Sequence, residues 1–342
     1  MNLFRVSNRL CQRLLVIIPD MIYSLINWFM ILIRRSLAVC LELFKVMIPA
    51  LVAVKAMEML GVFEPVADAI APVMKLCGLP GAAGLAWVTG MLSNMYGGLT
   101  VSAGMIEPLQ LNSAQVTTLG CMLLVCHSLP VEITVAARAG VEPWFLIPFR
   151  FLTGLLFGIL LNFIFSTTGL LQGEPAVLWS AAEQGTGLLQ WLSGTLKSMY
   201  TIFLVILAVM TIMDILKKLG VLKLLKKVMR PVFKPMGIGD EASTITVIGL
   251  LLGLSYGGGM IIGETRKGSI PPRQILTSVA FMSICHAVIE DTMLVGALGV
   301  RAIAALPGRV LFSWLTMFLL LLVSRYLPDR AIRAICRVPV KG

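Results

Sequence analysis

The chain has 342 residues, of which 58% are hydrophobic and only 13% are charged. A soluble domain is about 45–50% apolar and about 25% charged, so this chain has too few charges to cover a water-soluble fold. Its net charge of +11 does not indicate nucleic acid, because the basic residues cluster between apolar segments without interleaved aromatics. We therefore expect a multi-pass α-helical membrane protein.

The first apolar segment, residues 14–33, is long enough to span a bilayer but is interrupted by Pro19-Asp20. Arginines flank it on both sides, which favours an in-plane or re-entrant segment slightly over an extra span. The rest of the chain predicts one series of elements twice. Each series has a hydrophobic helix, an amphipathic stretch, a Gly-broken apolar segment, a helix with Cys-His and a closing helix. The predicted ranges are 37–59, 63–76, 81–105, 113–139 and 144–165, then 198–218, 221–235, 241–263, 272–298 and 304–324.

An internal repeat with an offset of 159 residues supports this reading. The only two histidines obey the offset, and each follows a cysteine. The Tyr-Gly-Gly of each Gly-broken segment matches at an offset of 160. We therefore expect a duplicated unit. The matched positions include Cys126-His127 with Cys285-His286, Glu132 with Asp291, Arg150 with Arg309, and Tyr96-Gly97-Gly98 with Tyr256-Gly257-Gly258.

Charge asymmetry predicts that the two copies have opposite orientations. The amphipathic stretch of the second copy is rich in lysine, whereas that of the first copy is mainly acidic. Because cytoplasmic loops carry the excess of Lys and Arg, these equivalent stretches should lie on opposite faces. We expect two tandem inverted-topology repeats, each with an interfacial helix, a re-entrant hairpin and about three spanning helices. The predicted divisions are a basic N-terminal segment (1–36), repeat 1 (37–166), an extracytoplasmic connection (167–196), repeat 2 (197–325) and a basic cytoplasmic tail (326–342).

This order of elements resembles the core of concentrative nucleoside transporters. The Tyr-Gly-Gly hairpins, entered through Gly-Leu-Pro (78–80) and Gly-Ile-Gly (237–239), look like the nucleoside-recognition or Gate family. That family includes the membrane domains of bacterial ferrous-iron transporters, and the segment 126–131 is similar to their cysteine-and-proline segment. The chain lacks the Gly-Gln-Thr hairpin signature of nucleoside transporters and the P-loop of the iron-transporter GTPase. The resemblance implies the architecture over about residues 37–325 and a location in a bacterial cytoplasmic (inner) membrane. It leaves the substrate open.

The hairpin tips are the first candidate site, because inverted repeats with broken helices bind substrate near the midplane. The alternative is that the glycines only allow close helix packing. The predicted substrate-binding residues are Ser93, Asn94, Tyr96, Gly97, Gly98, Ser255, Tyr256, Gly257 and Gly258.

The Cys-His-carboxylate segments are the second candidate site, since carboxylates buried in membranes are costly and usually functional. His and carboxylate could relay protons, the whole set could bind a transition metal, or a polar network could hold the two halves together. His286 and Glu290 are spaced four apart, which places them on one face of a continuous helix. The predicted coupling residues are His127, Glu132, His286, Glu290 and Asp291. The predicted metal ligands of the alternative are Cys126, His127, Glu132, Cys285, His286 and Glu290.

The sequence thus predicts a transporter of a small polar solute by alternating access, nucleoside-like by resemblance. A divalent-metal permease and a non-transporting membrane scaffold are the alternatives. No dinucleotide motif, nucleophile elbow or Cys-x-x-Cys indicates an enzyme. The candidate cofactors are a coupling cation (H⁺ or Na⁺) or a divalent metal. The expected partners are membrane lipids and the solute or ion, with a second copy of the chain as a candidate and no nucleic acid.

Overall fold

The computed structural model describes residues 63–178, 188–220, 232–267 and 270–337, together with scattered positions within 23–60 and 224–229. Parts of the predicted segment 14–33, of the helix 37–59, of the connection and of the tail lie outside these residues. At Ser255, Tyr256 and Gly258 only the backbone is described.

The described part of the chain is built from helices, with a single isolated backbone bridge between Val141 and Cys336. The first half contains α1 (Phe63–Leu76), α2 (Ala83–Leu92), α3 (Met95–Ile106), α4 (Ser113–Val125), α5 (Leu129–Arg138) and α6 (Pro143–Thr168). The long helix α7 (Leu188–Lys218) follows. The second half contains a 3₁₀ turn (Lys234–Met236), α8 (Asp240–Leu252), α9 (Leu254–Lys267), α10 (Pro272–Ile284), α11 (Glu290–Gly296), a π-helical turn (Ala304–Gly308), α12 (Arg309–Tyr326) and α13 (Asp329–Ile335).

Four stretches of the described residues are long and apolar enough to cross a bilayer. On α6 and α12, large apolar side chains are exposed at four-residue intervals, among them Leu152, Leu156 and Leu160. Such a row occupies one face of a helix and suits contact with lipid. The chain is therefore a helical membrane protein, while the inverted orientation stays a prediction. The four stretches are Ser113–Arg138, Pro143–Thr168, Leu192–Leu216 and Ala304–Tyr326.

Two helical pairs, α2 with α3 and α8 with α9, form tight hairpins in the Gly-broken segments. A Cβ atom on Gly98 would lie 2.9 Å from the Cα of Gly90, and one on Gly257 would lie 2.5 Å from the Cα of Gly249. Only glycine allows backbones to approach so closely. Each arm has 10–14 residues, fewer than the roughly 20 that span a bilayer.

The helices that carry Cys-His, predicted over 113–139 and 272–298, are each broken into two shorter helices. α4 ends at Val125 and α10 at Ile284, and the next helices start at Leu129 and Glu290. The left-handed residues Ser128 (φ 50°) and Ala287 (φ 44°) lie in the gaps. Pro130 favours the first break because it has no backbone N–H. The second break has no proline, so the proline is not the general cause.

The C-terminal segment packs against the first half. The backbone N–H of Glu142 donates to the Ile335 carbonyl (2.9 Å), and that of Arg337 donates to the Gly140 carbonyl (2.8 Å). The Arg337 guanidinium also lies 3.1 Å from the Glu142 carboxylate. These contacts tie the end of the chain to the loop between α5 and α6.

Candidate functional site

The two breaks meet inside the molecule and bring both histidines to one carboxylate. The Nε2 atoms of His127 and His286 lie 3.3 and 3.2 Å from Oε1 of Glu132. The two imidazole rings are 5.1 Å apart between centroids and inclined at 50°. The three residues are 4–7% exposed. We call His127, Glu132 and His286 the central cluster.

Backbone carbonyls orient both imidazole rings of the central cluster. Nδ1 of His127 lies 2.8 Å from the Leu123 carbonyl, and Nδ1 of His286 lies 2.8 Å from the Met282 carbonyl. A carbonyl only accepts, so each Nδ1 must carry the proton and donate it. In the neutral rings both Nε2 atoms then present lone pairs. Two imidazole lone pairs and one carboxylate oxygen converge within 4.8 Å of one another.

Arg150 on α6 holds the other carboxylate oxygen of Glu132. Its Nη1 lies 2.6 Å from Oε2 of Glu132, and Nε and Nη2 lie 3.4 and 3.3 Å from the Val125 carbonyl. The residue is fully buried. The carbonyl of Val125 is free to accept because α4 ends there. Sequence analysis named Arg150 only as a repeat position matched to Arg309 and did not include it among the site residues, although that match within an apolar repeat was an available signal.

The second half repeats this arrangement with a longer separation. Nε of Arg309 donates to the Ile284 carbonyl at 3.1 Å, at the positions equivalent to Arg150 and Val125. Its Nη1, however, is 3.8 Å from Oδ2 of Asp291. Both Arg309 and Asp291 are buried. The two halves therefore share one arrangement of arginine, carboxylate and carbonyl. The arginine–carboxylate distance is longer in the second half than in the first.

Three of the six predicted metal ligands belong to the central cluster: His127, Glu132 and His286. Among the described residues, Cys126, Cys285 and Glu290 are not part of that group. Cys126 and Cys285 terminate α4 and α10 and are buried. Glu290 and Asp291 begin α11. The break at Ala287 separates His286 from Glu290, so their spacing of four does not place them on one helix face.

The first hairpin tip uses its polar side chains to close the turn. The Ser93 hydroxyl donates to the Thr89 carbonyl (2.6 Å), and Oδ1 of Asn94 accepts from the backbone N–H of Gly97 (2.9 Å). Tyr96 is partly buried and packs against the hydrophobic core. In the second tip, Gly257 is buried against α8. The role of the tips in substrate binding stays a prediction.

Comparisons with known proteins agree with this architecture. The sequence family described as Gate, nucleoside recognition, matches the chain twice, over residues 40–140 and 199–301. The two matches begin at positions related by the offset of the internal repeat. The uncharacterized membrane protein YvoD of Bacillus subtilis (strain 168) is 29% identical over 281 residues, which cover 78% of this chain and 85% of YvoD. No solved structure matches the chain.

Proposed function

The chain belongs to the nucleoside-recognition Gate family of membrane proteins, and we propose that it is a transporter that carries a divalent transition-metal cation through the central cluster. The observation that carries the proposal is the convergence of three acceptor atoms, two Nε2 and one Oε1, in a buried position. Acceptors repel one another unless a cation lies between them.

A metal cation suits the distances better than protons do. A proton on Nε2 would make a charge-assisted hydrogen bond, which is normally about 2.7–2.9 Å long. The two Nε2–Oε1 distances are 3.3 and 3.2 Å. Ligands about 2.0–2.1 Å from a tetrahedral metal are separated by about 3.3 Å. One cation would therefore satisfy all three acceptors at once, whereas one proton satisfies a single pair.

The ligand set indicates the class of metal. Imidazole nitrogen favours first-row transition metals such as Fe(II), Co(II) or Zn(II) over Mg²⁺ and Ca²⁺, which prefer oxygen. Two histidines with one carboxylate leave coordination positions open for water. The carbonyls of Leu123 and Met282 fix the imidazole tautomers, and Arg150 orients the carboxylate. Such outer partners are typical of metal ligands.

The origin of the ligands supports transport rather than storage. His127 and Glu132 belong to the first half, and His286 belongs to the second. A movement of one half against the other would remove one ligand and weaken the hold on the cation. Repeats that move against each other around a midplane site are a common design of secondary transporters.

Uptake of Co²⁺ into proteoliposomes tests the proposal. Glu132→Gln and the double variant His127→Ala/His286→Ala should each lower uptake by at least about 100-fold, since loss of outer partners alone lowers metal affinity by about 10–100-fold. Glu107→Gln, at an exposed position, is the matched control and should transport normally. Normal Co²⁺ uptake by Glu132→Gln would refute a route through the central cluster.

A small polar, nucleoside-like solute is the second candidate, favoured by the description of the matched family. Thermal stabilisation of the purified protein by a nucleoside, without Co²⁺ binding, would support it. If no tested solute or metal binds the protein or enters proteoliposomes, the remaining alternative is a non-transporting membrane scaffold.

A further inference from the structure

The segment that follows α12 binds a loop of the first half. Two backbone hydrogen bonds, of 2.9 and 2.8 Å, join residues 335–337 to residues 140–142. Between these bonds, Val141 and Cys336 face each other as the pair of an antiparallel bridge, and both are buried. We call residues 335–337 the second strap, because they extend from the second half and hold the first.

The equivalent segment that follows α6 binds the equivalent loop of the second half. Residues 176–178 lie 159 positions before the second strap, which is the offset of the internal repeat. The backbone N–H of Leu178 donates to the Ala297 carbonyl at 2.9 Å. The backbone of Ala176 packs so closely on Gly299 that a Cβ atom there would lie 3.1 Å from the Ala176 carbonyl oxygen. We call residues 176–178 the first strap.

The two straps make reciprocal contacts at matching positions of the repeat. Each strap follows the closing helix of one half and binds a Gly-Val loop of the other half. The glycine of each loop has a positive φ, 102° at Gly140 and 90° at Gly299, a conformation that glycine adopts without steric cost. The two halves thus contain matching straps and matching loops, which indicates that the contact belongs to the repeated unit.

The two straps lie at opposite ends of the apolar stretch Ser113–Arg138, which is long enough to cross a bilayer. The loop that the second strap binds directly follows this stretch. The loop that the first strap binds contacts the start of the stretch, because the backbone N–H of Arg301 donates to the Thr117 hydroxyl at 3.2 Å. His127 and Glu132 lie between these two points. We therefore expect the straps at opposite faces of the membrane, with the central cluster between them.

We propose that the two straps are latches that release in turn, each opening the central cluster to one face of the membrane. The inference rests on the proposed function, since it assigns the parts of the chain that control access to that site. With both straps bound, the two halves are joined at both ends, and the residues of the central cluster are only 4–7% exposed. Alternating access requires one half to move against the other, so one strap has to separate from its loop while the other stays bound.

The contacts of the straps are suited to reversible release. The second strap adds one ion pair, between Arg337 and Glu142 at 3.1 Å, to its two backbone hydrogen bonds. The side chain of Arg337 is 75% exposed, and ion pairs exposed to water contribute little to stability. Segments held by few buried contacts open locally without unfolding of the whole protein. A strap can therefore leave its loop while the helices of both halves stay folded.

A disulfide bond that fixes the second strap tests the inference in the full-length protein. In Val141→Cys the new thiol would face the native Cys336. Paired positions of antiparallel strands have Cα atoms about 4.5–5.5 Å apart, and disulfides join Cα atoms about 4.4–6.8 Å apart. Oxidation with diamide should form the bond, and mass spectrometry of peptides measures its yield. Co²⁺ uptake into proteoliposomes should fall in proportion to the linked fraction and recover after reduction.

The unsubstituted chain and the double variant Val141→Cys/Cys336→Ser, which cannot form this bond, are the matched controls. Both should take up Co²⁺ equally before and after oxidation. Full uptake by the linked protein would overturn the inference and leave the metal route standing. Absence of uptake by the unsubstituted chain would refute the proposed function, and the straps would then be tested without a substrate.

Amide hydrogen exchange at single residues tests the straps without substrate or substitution, so it also decides if Val141→Cys fails to fold. The backbone N–H of Glu142 donates across the halves to the Ile335 carbonyl at 2.9 Å, whereas that of its neighbour Val141 donates to the Ala136 carbonyl within the first half at 3.1 Å. Release of the second strap should make the amide of Glu142 exchange faster than that of Val141. Equal protection of the two amides would overturn the inference.

Discussion

Each histidine of the central cluster replaces a backbone hydrogen bond that a continuous helix would make. In a regular helix the Leu123 carbonyl would accept from the backbone N–H of residue 127. Here the imidazole of His127 donates to it instead. The same substitution occurs at His286 and Met282. Each histidine therefore satisfies a carbonyl in the last turn of its helix through Nδ1 and directs the Nε2 lone pair toward Glu132.

The buried arginines should differ in their contribution to stability. Arg150→Met removes the ion-pair partner of Glu132 and leaves its carboxylate buried without that positive charge, which typically costs about 3–5 kcal/mol of stability. Arg309→Met removes only the longer ion pair with Asp291 (3.8 Å), so the loss of stability should be smaller. Thermal unfolding in detergent measures both. An equal or larger loss of stability in Arg309→Met would contradict the asymmetry of the two halves.

At the scale of elements, the hairpins depend on glycine contacts between their arms. The close approach of Gly257 to Gly249 brings α8 and α9 together beside Met282 of α10. Because Met282 also supplies the carbonyl that holds His286, the hairpin supports the helix that orients this ligand. The glycines thus have a structural role, whatever role the tips have in binding.

Two glycines of α9 offer a matched comparison. In Gly257→Ala the new methyl group would meet the backbone of Gly249, and such overpacking typically costs about 1–3 kcal/mol. In Gly263→Ala the Cβ meets nothing within 4 Å, so the gain in helix propensity of about 0.5–1 kcal/mol remains. Melting temperatures should therefore fall for Gly257→Ala and stay equal or rise for Gly263→Ala. The reverse order would show that the arms separate easily.

At the scale of the whole molecule, the sequence predicted the membrane class and the family. It also named both histidines and Glu132 as candidate residues of one polar site. Periodicity and the repeat register identify these features because they are local or recur at a fixed spacing. The contact between His286 and Glu132 depends on two helix breaks. The second break contains no proline, so the sequence carries no clear signal for it. The buried role of Arg150 was missed because an arginine near a helix start is ordinarily read as an interfacial charge.

The opposite orientation of the repeats can be tested at equivalent positions 107 and 266. Glu107→Cys and Arg266→Cys lie just beyond or at the end of the second arm of each hairpin. Inverted topology predicts that a membrane-impermeant maleimide labels residue 107 in intact cells and residue 266 only in inside-out vesicles. The unsubstituted chain, whose described cysteines are all buried, controls for background. Labelling of both positions from one side would exclude inversion.

The ion pair of Glu132 with Arg150 has a consequence for how the chain is made. Both residues lie in the first half, so this carboxylate can meet its guanidinium before the ribosome has synthesised His286. A lone charge entering the centre of a bilayer costs about 2.5–3.5 kcal/mol on insertion scales, and an internal counter-ion reduces that cost. Asp291 and Arg309 give the second half a counter-ion of its own. Each half can thus be inserted in turn. Only the contact of both histidines with Glu132 requires that the two halves be present.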